Sequence, residues 1–157
     1  MTERSSPGMR LSRLQAGLLV SAVAAVLVLP PLGQRVIATS DEARFALLAR
    51  DMLERGVWFD LQVRGRQYRN KPPLYPWSIA ALSRPGGHVT EATAQAPVAV
   101  AAIGAVLFTF LLGDRLFSRH AGLWAALILA TSYGFFAHSQ LALPDMQIGR
   151  ASCRERV

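Results

Sequence analysis

Charged residues are scarce in this sequence, and residue types that often carry chemistry are nearly missing. Charged side chains make up 17% of the 157 residues and hydrophobic ones 52%, whereas soluble domains average about 25% charged. The one cysteine, Cys153, excludes a disulfide framework and a multi-cysteine zinc site. No glycine-rich phosphate loop or nucleophile elbow is present, and the basic residues are not clustered as in nucleic-acid-binding proteins. The composition therefore indicates a membrane protein with no nucleic-acid partner.

Three long stretches of the chain contain no charged residue, and each reaches the ~20 residues that a bilayer-spanning helix needs. We predict three transmembrane helices, at about residues 14–34, 92–113 and 121–142. For the first stretch, a secretory signal peptide is the alternative, because three arginines precede it. No small-x-small cleavage site follows it, which favours an uncleaved helix.

Short basic segments set the predicted orientation. Residues 1–13 hold three arginines, and two more lie between the second and third predicted spans. Such short basic segments near membrane ends stay cytoplasmic. We therefore expect a cytoplasmic N-terminus, residues 1–13, and a first outer loop at residues 39–91. That loop holds more arginines than the inner segments, but long loops are weak evidence for this rule.

The outer loop opens with a predicted amphipathic helix. Its apolar residues recur at helical spacing, at Phe45, Leu48, Ala49, Met52 and Leu53. Thr39 and Glu42 have the spacing of a capping box, and Gly56 is placed to end the helix. We expect the helix to lie in the membrane interface with its apolar face towards lipid; the alternative is an ordinary amphipathic helix packed on a soluble domain. Further along, residues 57–68 predict an extended loop or small hairpin, and residues 72–83 a short re-entrant or interfacial helix.

Two carboxylates are candidates for chemistry. Asp41 falls in the first turn of the predicted helix, where the macrodipole favours an anion. Asp145 is the next acid expected on the outer side after two further crossings. The spacing permits both to reach one pocket, although Asp41 could also simply stabilise the helix start.

Lys71 is the one lysine among 17 basic residues. A compact ammonium at headgroup level could hold a phosphate, and Arg69 adds positive charge nearby. The alternative is that these cations only snorkel to the interface.

Three segments are recognisable together: "DEARFALLARDMLERG" from Asp41, "YRNKPPLYPW" from Tyr68 and "LALPDMQ" ending at Gln147. They resemble the start of the bacterial membrane glycosyltransferases related to protein mannosyltransferases, of which the lipid A 4-amino-4-deoxy-L-arabinose transferases are the nearest well-known type. The resemblance implies an all-α, GT-C-type polytopic helical bundle in the bacterial inner membrane, with an active site on the periplasmic side. It also implies a polyprenyl-phosphate-linked sugar donor and a lipid, glycan or protein acceptor.

The resemblance assigns roles to particular residues. Asp41 and Asp145 match the two catalytic acids. Lys71 matches the residue that holds the donor phosphate, with Arg44 and Arg69 beside it. The expected substrate pocket is completed by Glu42, Tyr68, Asn70 and Tyr75.

Two departures from the family pattern concern metal and substrate. Asn70 stands where the aminoarabinose enzymes often have Glu, and a neutral amide is a poor ligand for a divalent cation. Residues 95–97 read Gln-Ala-Pro where relatives commonly have Arg-Leu-Pro. We expect a different sugar or acceptor branch, no metal site and no cofactor; a divalent cation is left open but unsupported by the sequence.

The last ten residues break the pattern before them. Residues 148–157, "IGRASCRERV", match the translation of a common sequencing-adapter DNA, so we exclude them from the fold; a genuine basic tail is the alternative. Residues 14–147 are then expected to be the N-terminal part of a longer catalytic domain, inactive by itself. A small transporter-like or scaffold membrane protein without catalysis is the alternative function.

Overall fold

A computed structural model describes residues 12–37, 39–56, 58–59, 62–63, 66–67 and 73–143. In chain order the elements are α1 (Arg13–Val28), α2 (Ser40–Arg55), β1 (Gln62–Val63), β2 (Arg66–Gln67), α3 (Leu74–Ser83), a 3-10 turn (Arg84–Gly86), α4 (Glu91–Leu116), α5 (Arg119–Thr131) and α6 (Tyr133–Ser139). The two short strands pair antiparallel, with Gln62 opposite Gln67. Of the two alternatives expected in residues 57–68, an extended loop or a small hairpin, this pairing agrees with the hairpin.

Helices α1, α4 and α5 pack together through small and medium apolar side chains. The buried members of this contact are Ala16, Val20, Ala24, Val106, Phe110, Ala126 and Ala130. Small residues let helix backbones approach closely. A Cβ atom at Gly122 would lie 2.6 Å from the Phe110 carbonyl oxygen, and one at Gly113 would lie 2.6 Å from the Gly122 Cα. Helices α4 and α5 therefore meet backbone against backbone.

The outward faces of these three helices carry exposed large apolar side chains, among them Leu18, Val100, Phe108, Trp124 and Ile128. Large exposed apolar surfaces mark membrane or partner contacts. Within the described residues, α4 alone is long and apolar enough to cross a bilayer as a single helix. Helices α5 and α6, taken together as one span bent by 62°, are also long and apolar enough, and α1 is a shorter apolar helix. Three membrane crossings remain a prediction.

Two helices are shorter than the predicted spans. Helix α1 ends at Val28, inside the range 14–34, because Pro30 and Pro31 follow and proline cannot continue a helix. The range 121–142 is interrupted at Ser132, whose backbone is extended. The Thr131 hydroxyl donates to the Leu127 carbonyl, a bond that competes with the helix ladder and bends helices.

Helix α2 forms as predicted, but its apolar face contacts protein. The capping box between Thr39 and Glu42 is present, and Gly56 ends the helix in a left-handed conformation with φ of 70°. The predicted stripe packs on α3, α4 and the segment after α6, in a core of Phe45, Leu48, Ala49, Met52, Tyr75, Ile79, Ala80, Ala94, Val98 and Ala142. The expectation that this face meets lipid is wrong, because two helices of the same chain cover it.

Candidate active site

Asp41 lies in the first turn of α2 with its side chain about half exposed. Its carboxylate accepts a hydrogen bond from the Arg44 Nη1 atom at 2.7 Å, one turn further along the helix. The capped N-terminus of α2 fixes the backbone beneath Asp41 and favours its negative charge. Two of the predicted site residues, an acid and a cation, are thus held side by side at an accessible surface.

Glu42, the next residue, is fully buried. Its Oε2 atom accepts from the Thr39 backbone amide at 3.1 Å and from the Thr39 hydroxyl at 2.9 Å. Its Oε1 atom accepts from the Arg35 guanidinium at 2.9 Å and from the Ala142 amide at 2.9 Å. Both carboxylate oxygens are therefore satisfied inside the protein, with none of the carboxylate exposed.

This arrangement decides the charge of Glu42. Burial by itself raises the pKa of its carboxyl group, but hydrogen bonds from the Ala142 amide, from Thr39 and from Arg35 outweigh burial, and the pKa is lowered. Donors to a carboxylate favour its ionised form. Glu42 is accordingly a buried anion paired with Arg35.

Arg35 links this anion to the far end of the described chain. Its Nη1 atom also donates to the Gln140 carbonyl at 3.2 Å, so that one guanidinium contacts both α2 and the segment that follows α6. Glu42 and Ala142 are 100 residues apart in sequence. The start of α2 and residues 140–142 therefore lie at the same end of the molecule.

Gln95, noted above as a departure from the family pattern, holds the chain on either side of Gln34. Its side chain is buried in the first turns of α4. The amide oxygen accepts from the Gly33 backbone at 3.0 Å, and the amide nitrogen donates to the Arg35 carbonyl at 3.1 Å. This pair of bonds fixes the backbone that carries the Arg35 guanidinium.

Tyr75 is buried in the core beneath α2. Its hydroxyl donates to the Ala94 carbonyl at 2.9 Å, and its ring meets Phe45 edge to face with centroids 5.2 Å apart. Burial, reinforced by the charge of Glu42, raises the pKa of the phenol. The group therefore remains a neutral donor that ties α3 to α4.

Five predicted site residues lie outside the described residues: Asp145, Lys71, Arg69, Tyr68 and Asn70. Of the predicted set, the structure brings together Asp41, Arg44 and Glu42 at the start of α2, with Tyr75 in the core below.

The described part of the chain holds no group of three His, Cys, Asp or Glu side chains that could bind a metal ion. It has a shallow groove of about 340 Å³ between α2 and residues 89–91. The groove is lined by Ile37, Ala43, Ala46, Leu47, Arg50, Val89, Thr90 and Glu91. None of the predicted site residues is among them.

Sequence reasoning missed Arg35 and Gln95 as parts of this network. Arg35 appeared only as the charge that follows the first apolar stretch, and Gln95 only as a departure from a family pattern. A basic residue seven positions before a capping-box Glu was the one signal available. The contact with Ala142 leaves no local trace in the sequence, because its partner is a backbone amide 100 residues away.

Comparison with known proteins identifies the family to which the chain belongs. Residues 70–148, half of the chain, match the family model described as dolichyl-phosphate-mannose-protein mannosyltransferase. The chain belongs to this family. Its membership confirms the resemblance found in the sequence.

Similar curated proteins carry one name, undecaprenyl phosphate-alpha-4-amino-4-deoxy-L-arabinose arabinosyl transferase. The protein from Pseudomonas savastanoi pv. phaseolicola is 31% identical over 126 residues, which cover 80% of this chain and 24% of that protein. The protein from Pectobacterium carotovorum subsp. carotovorum is 32% identical over 120 residues, covering 74% of this chain and 22% of that protein. The chain thus spans about a quarter of the length of these family members.

Among solved structures, the chain is similar to the crystal structure of ArnT from Cupriavidus metallidurans bound to undecaprenyl phosphate. The TM-score is 0.76 and the sequence identity 23%, over 87% of this chain and 25% of that one. The predicted fold class, an all-α GT-C-type membrane helical bundle, is thereby confirmed.

Proposed function

We propose that the protein containing this chain is a membrane glycosyltransferase. It moves a sugar from a polyprenyl-phosphate donor to a lipid, glycan or protein acceptor on the extracytoplasmic side of the bacterial inner membrane. Family membership supports the reaction class, and the names of the relatives support an undecaprenyl-phosphate-linked sugar as donor. The observation that carries the proposal is the accessible Asp41 carboxylate at the start of α2. Glu42, the next residue, bonds to the Ala142 amide, three residues before Asp145 in the sequence.

In the proposed reaction, an acceptor hydroxyl attacks the anomeric carbon of the donor sugar. A new bond forms between that carbon and the acceptor oxygen, the bond from the carbon to the phosphate oxygen breaks, and polyprenyl phosphate leaves. The hydroxyl proton passes to the Asp41 carboxylate, which acts as the general base. The Arg44 Nη1 atom, 2.7 Å from the Asp41 Oδ1 atom, holds that carboxylate in place. Asp145, the second of the two acids, orients the acceptor.

Cations stabilise the leaving phosphate in this scheme. We assign that task to Lys71 and Arg69, with Arg44 at the edge of the site, because preorganised positive groups are most effective where negative charge develops. Tyr68 and Asn70 are proposed to line the sugar pocket. Glu42 and Tyr75 were expected there too, but their polar atoms are bonded within the protein, and we assign them to holding the site together.

The test uses the complete protein in membranes, supplied with undecaprenyl-phosphate-linked aminoarabinose or hexose donors. Asp41→Asn keeps the side-chain shape but removes the base, and we expect transfer to fall by about 10²–10⁴-fold with unchanged membrane insertion. Asp51→Asn is the matched control, because Asp51 lies on the same helix and also pairs with an arginine, Arg55. Transfer by the Asp41 variant at the control rate would remove Asp41 from the mechanism.

The alternative, a transporter-like or scaffold protein, is favoured by no observation in the described residues, and family membership opposes it. We also propose that the 157-residue chain alone is inactive, because it spans about a quarter of the length of its relatives. A complete protein that inserts normally but transfers no sugar from either donor would revive the alternative.

A further inference from the structure

The ion pair between Glu42 and Arg35 joins three parts of the chain that are far apart in sequence. Arg35 lies in the segment after α1, Glu42 in the first turn of α2, and Gln140 and Ala142 in the segment after α6. One carboxylate and one guanidinium supply the bonds between all three.

Stability alone is a weak explanation for this arrangement. Taking the Glu42 carboxylate out of water has a desolvation penalty that can exceed its attraction to Arg35, whose side chain is 35% exposed. Apolar replacements of buried charges that pair with each other are often neutral or stabilising. The surrounding core of Phe45, Leu48 and Ala142 is otherwise apolar. A buried charge in such a place suits a role in fixing geometry.

The segment held by the pair is tied to the start of α2 through two of its backbone groups. Residues 140–143 have no regular secondary structure. The amides of Gln140, Leu141 and Leu143 donate to carbonyls within three residues, so that the Ala142 amide is the one in this segment that bonds to a distant group. The Ala142 amide is buried and donates to the Glu42 carboxylate, while the Gln140 carbonyl accepts from Arg35. Pro144 and Asp145 follow directly in the sequence.

We propose that Glu42 is a positioning residue, which acts through Arg35 and the Ala142 amide to set the segment 140–143 against the start of α2. The two candidate catalytic acids each lie next to this network in sequence: Asp41 adjoins Glu42, and Asp145 follows Ala142 by three residues. Glu42 thereby positions the backbone that lies three residues before Asp145, through atoms that are bonded within the protein. This inference rests on the proposed function for its catalytic consequence, but its structural part stands alone.

The positioning role of Glu42 is tested in the complete protein by two substitutions, one that changes the length of the side chain and one that changes its charge. Glu42→Asp keeps the charge but shortens the side chain by one methylene, so it cannot reach both Thr39 and Ala142. Glu42→Gln keeps the length and removes the charge. Because a misplacement of about 1 Å can lower a rate by about 10²-fold, we expect kcat to fall by that order in Glu42→Asp, with the donor KM changed less than threefold. We expect a smaller fall of kcat in Glu42→Gln, because the amide oxygen of the new side chain can still accept a hydrogen bond from the Ala142 amide.

Hydrogen–deuterium exchange of the peptide containing residues 140–143 provides a readout that needs no activity. We expect faster exchange there in Glu42→Asp than in the parent protein. Glu54→Gln is the matched control, because Glu54 lies on the same helix and pairs with Arg50 at 2.6 Å in an exposed position. It is expected to change neither exchange at 140–143 nor kcat.

A double variant, Arg35→Met with Glu42→Gln, covers the case in which single variants fail to accumulate. It leaves no unpaired buried charge, so that membrane abundance is expected to recover, while kcat per inserted molecule stays reduced because Gln140 has lost its donor. Recovery of kcat together with abundance would reduce Glu42 to a folding residue and overturn the proposal. Unchanged exchange at 140–143 in Glu42→Asp would overturn it as well, whereas a parent protein that transfers no sugar would refute only the proposed function.

Discussion

The two ends of α4 are each held by a carboxylate that bridges distant segments, and the two carboxylates differ in their surroundings. At one end, Gln95 of α4 supports Arg35, which pairs with Glu42 at 2.9 Å. At the other end, Asp114 of α4 pairs with Arg13 of α1 at 3.0 Å and with Arg119 at 3.6 Å. Gln95 and Asp114 are 19 positions apart on α4, which separates the two clusters by about 28 Å along the helix.

Burial distinguishes the two clusters more than distance does. The Glu42 side chain is 0% exposed and that of Arg35 35%, whereas Asp114 is 12% exposed and Arg13 43%. Glu42 also accepts a backbone amide from a remote segment, while no backbone donor to Asp114 is found in the described residues. One cluster fixes a particular chain path, and the other adds modest attraction where α1, α4 and α5 already pack. Similar ion-pair distances therefore carry different structural roles.

Removing the arginine at each end is the strongest test of this difference. Arg35→Met would leave the Glu42 carboxylate buried with its Thr39 and Ala142 donors but without its cation, and the loss of a hydrogen bond to a charged group costs about 1.5–3 kcal/mol. Arg13→Met removes a pair of almost equal length but greater exposure, for which about 0–1 kcal/mol is expected. The measurement is the free energy of unfolding of the complete protein in detergent micelles. Equal losses in the two variants would contradict the distinction.

The Asp114 end depends more on backbone contact than on charge. Gly122→Ala would place a Cβ 2.6 Å from the Phe110 carbonyl oxygen, and overpacking of this kind costs about 1–3 kcal/mol. Gly104→Ala is the control, since a Cβ at Gly104 of α4 would meet no atom within 4 Å. The same unfolding measurement should show a loss for Gly122→Ala and none for Gly104→Ala. A neutral Gly122→Ala would mean that α4 and α5 can separate without loss.

Local features of the fold could be predicted from the sequence, because local rules govern them. The apolar periodicity from Phe45 to Met52 defined the buried face of α2, and the Thr39–Glu42 spacing defined its cap. What covers that face could not be predicted in the same way. The partners, α3 and α4, are chosen by tertiary packing, and a helix next to a membrane span has the same pattern whether protein or lipid covers it.

The candidate site was predictable in part for the same reason. Asp41 stands out as an acid at a helix start, and Arg44 lies one turn away on the same helix. Glu42 has two functions in one side chain, of which the cap is visible in the sequence and the bond to Ala142 is not. Ser132, where the third apolar stretch breaks, is likewise a conformational choice that no charge or proline marks.

Asp114→Asn is expected to have the smallest effect on the free energy of unfolding, and it tests the comparison at the Asp114 end of α4. Because both of its arginine partners are more than 40% exposed, the lost attraction should amount to no more than about 1 kcal/mol. Solvent-exposed charges are screened by salt over a Debye length of about 8 Å at physiological ionic strength. The difference between parent and variant, measured by unfolding at low and high salt, should therefore shrink as salt rises. A larger difference that is insensitive to salt would mean that Asp114 is desolvated as Glu42 is, and that both ends of α4 fix the chain path.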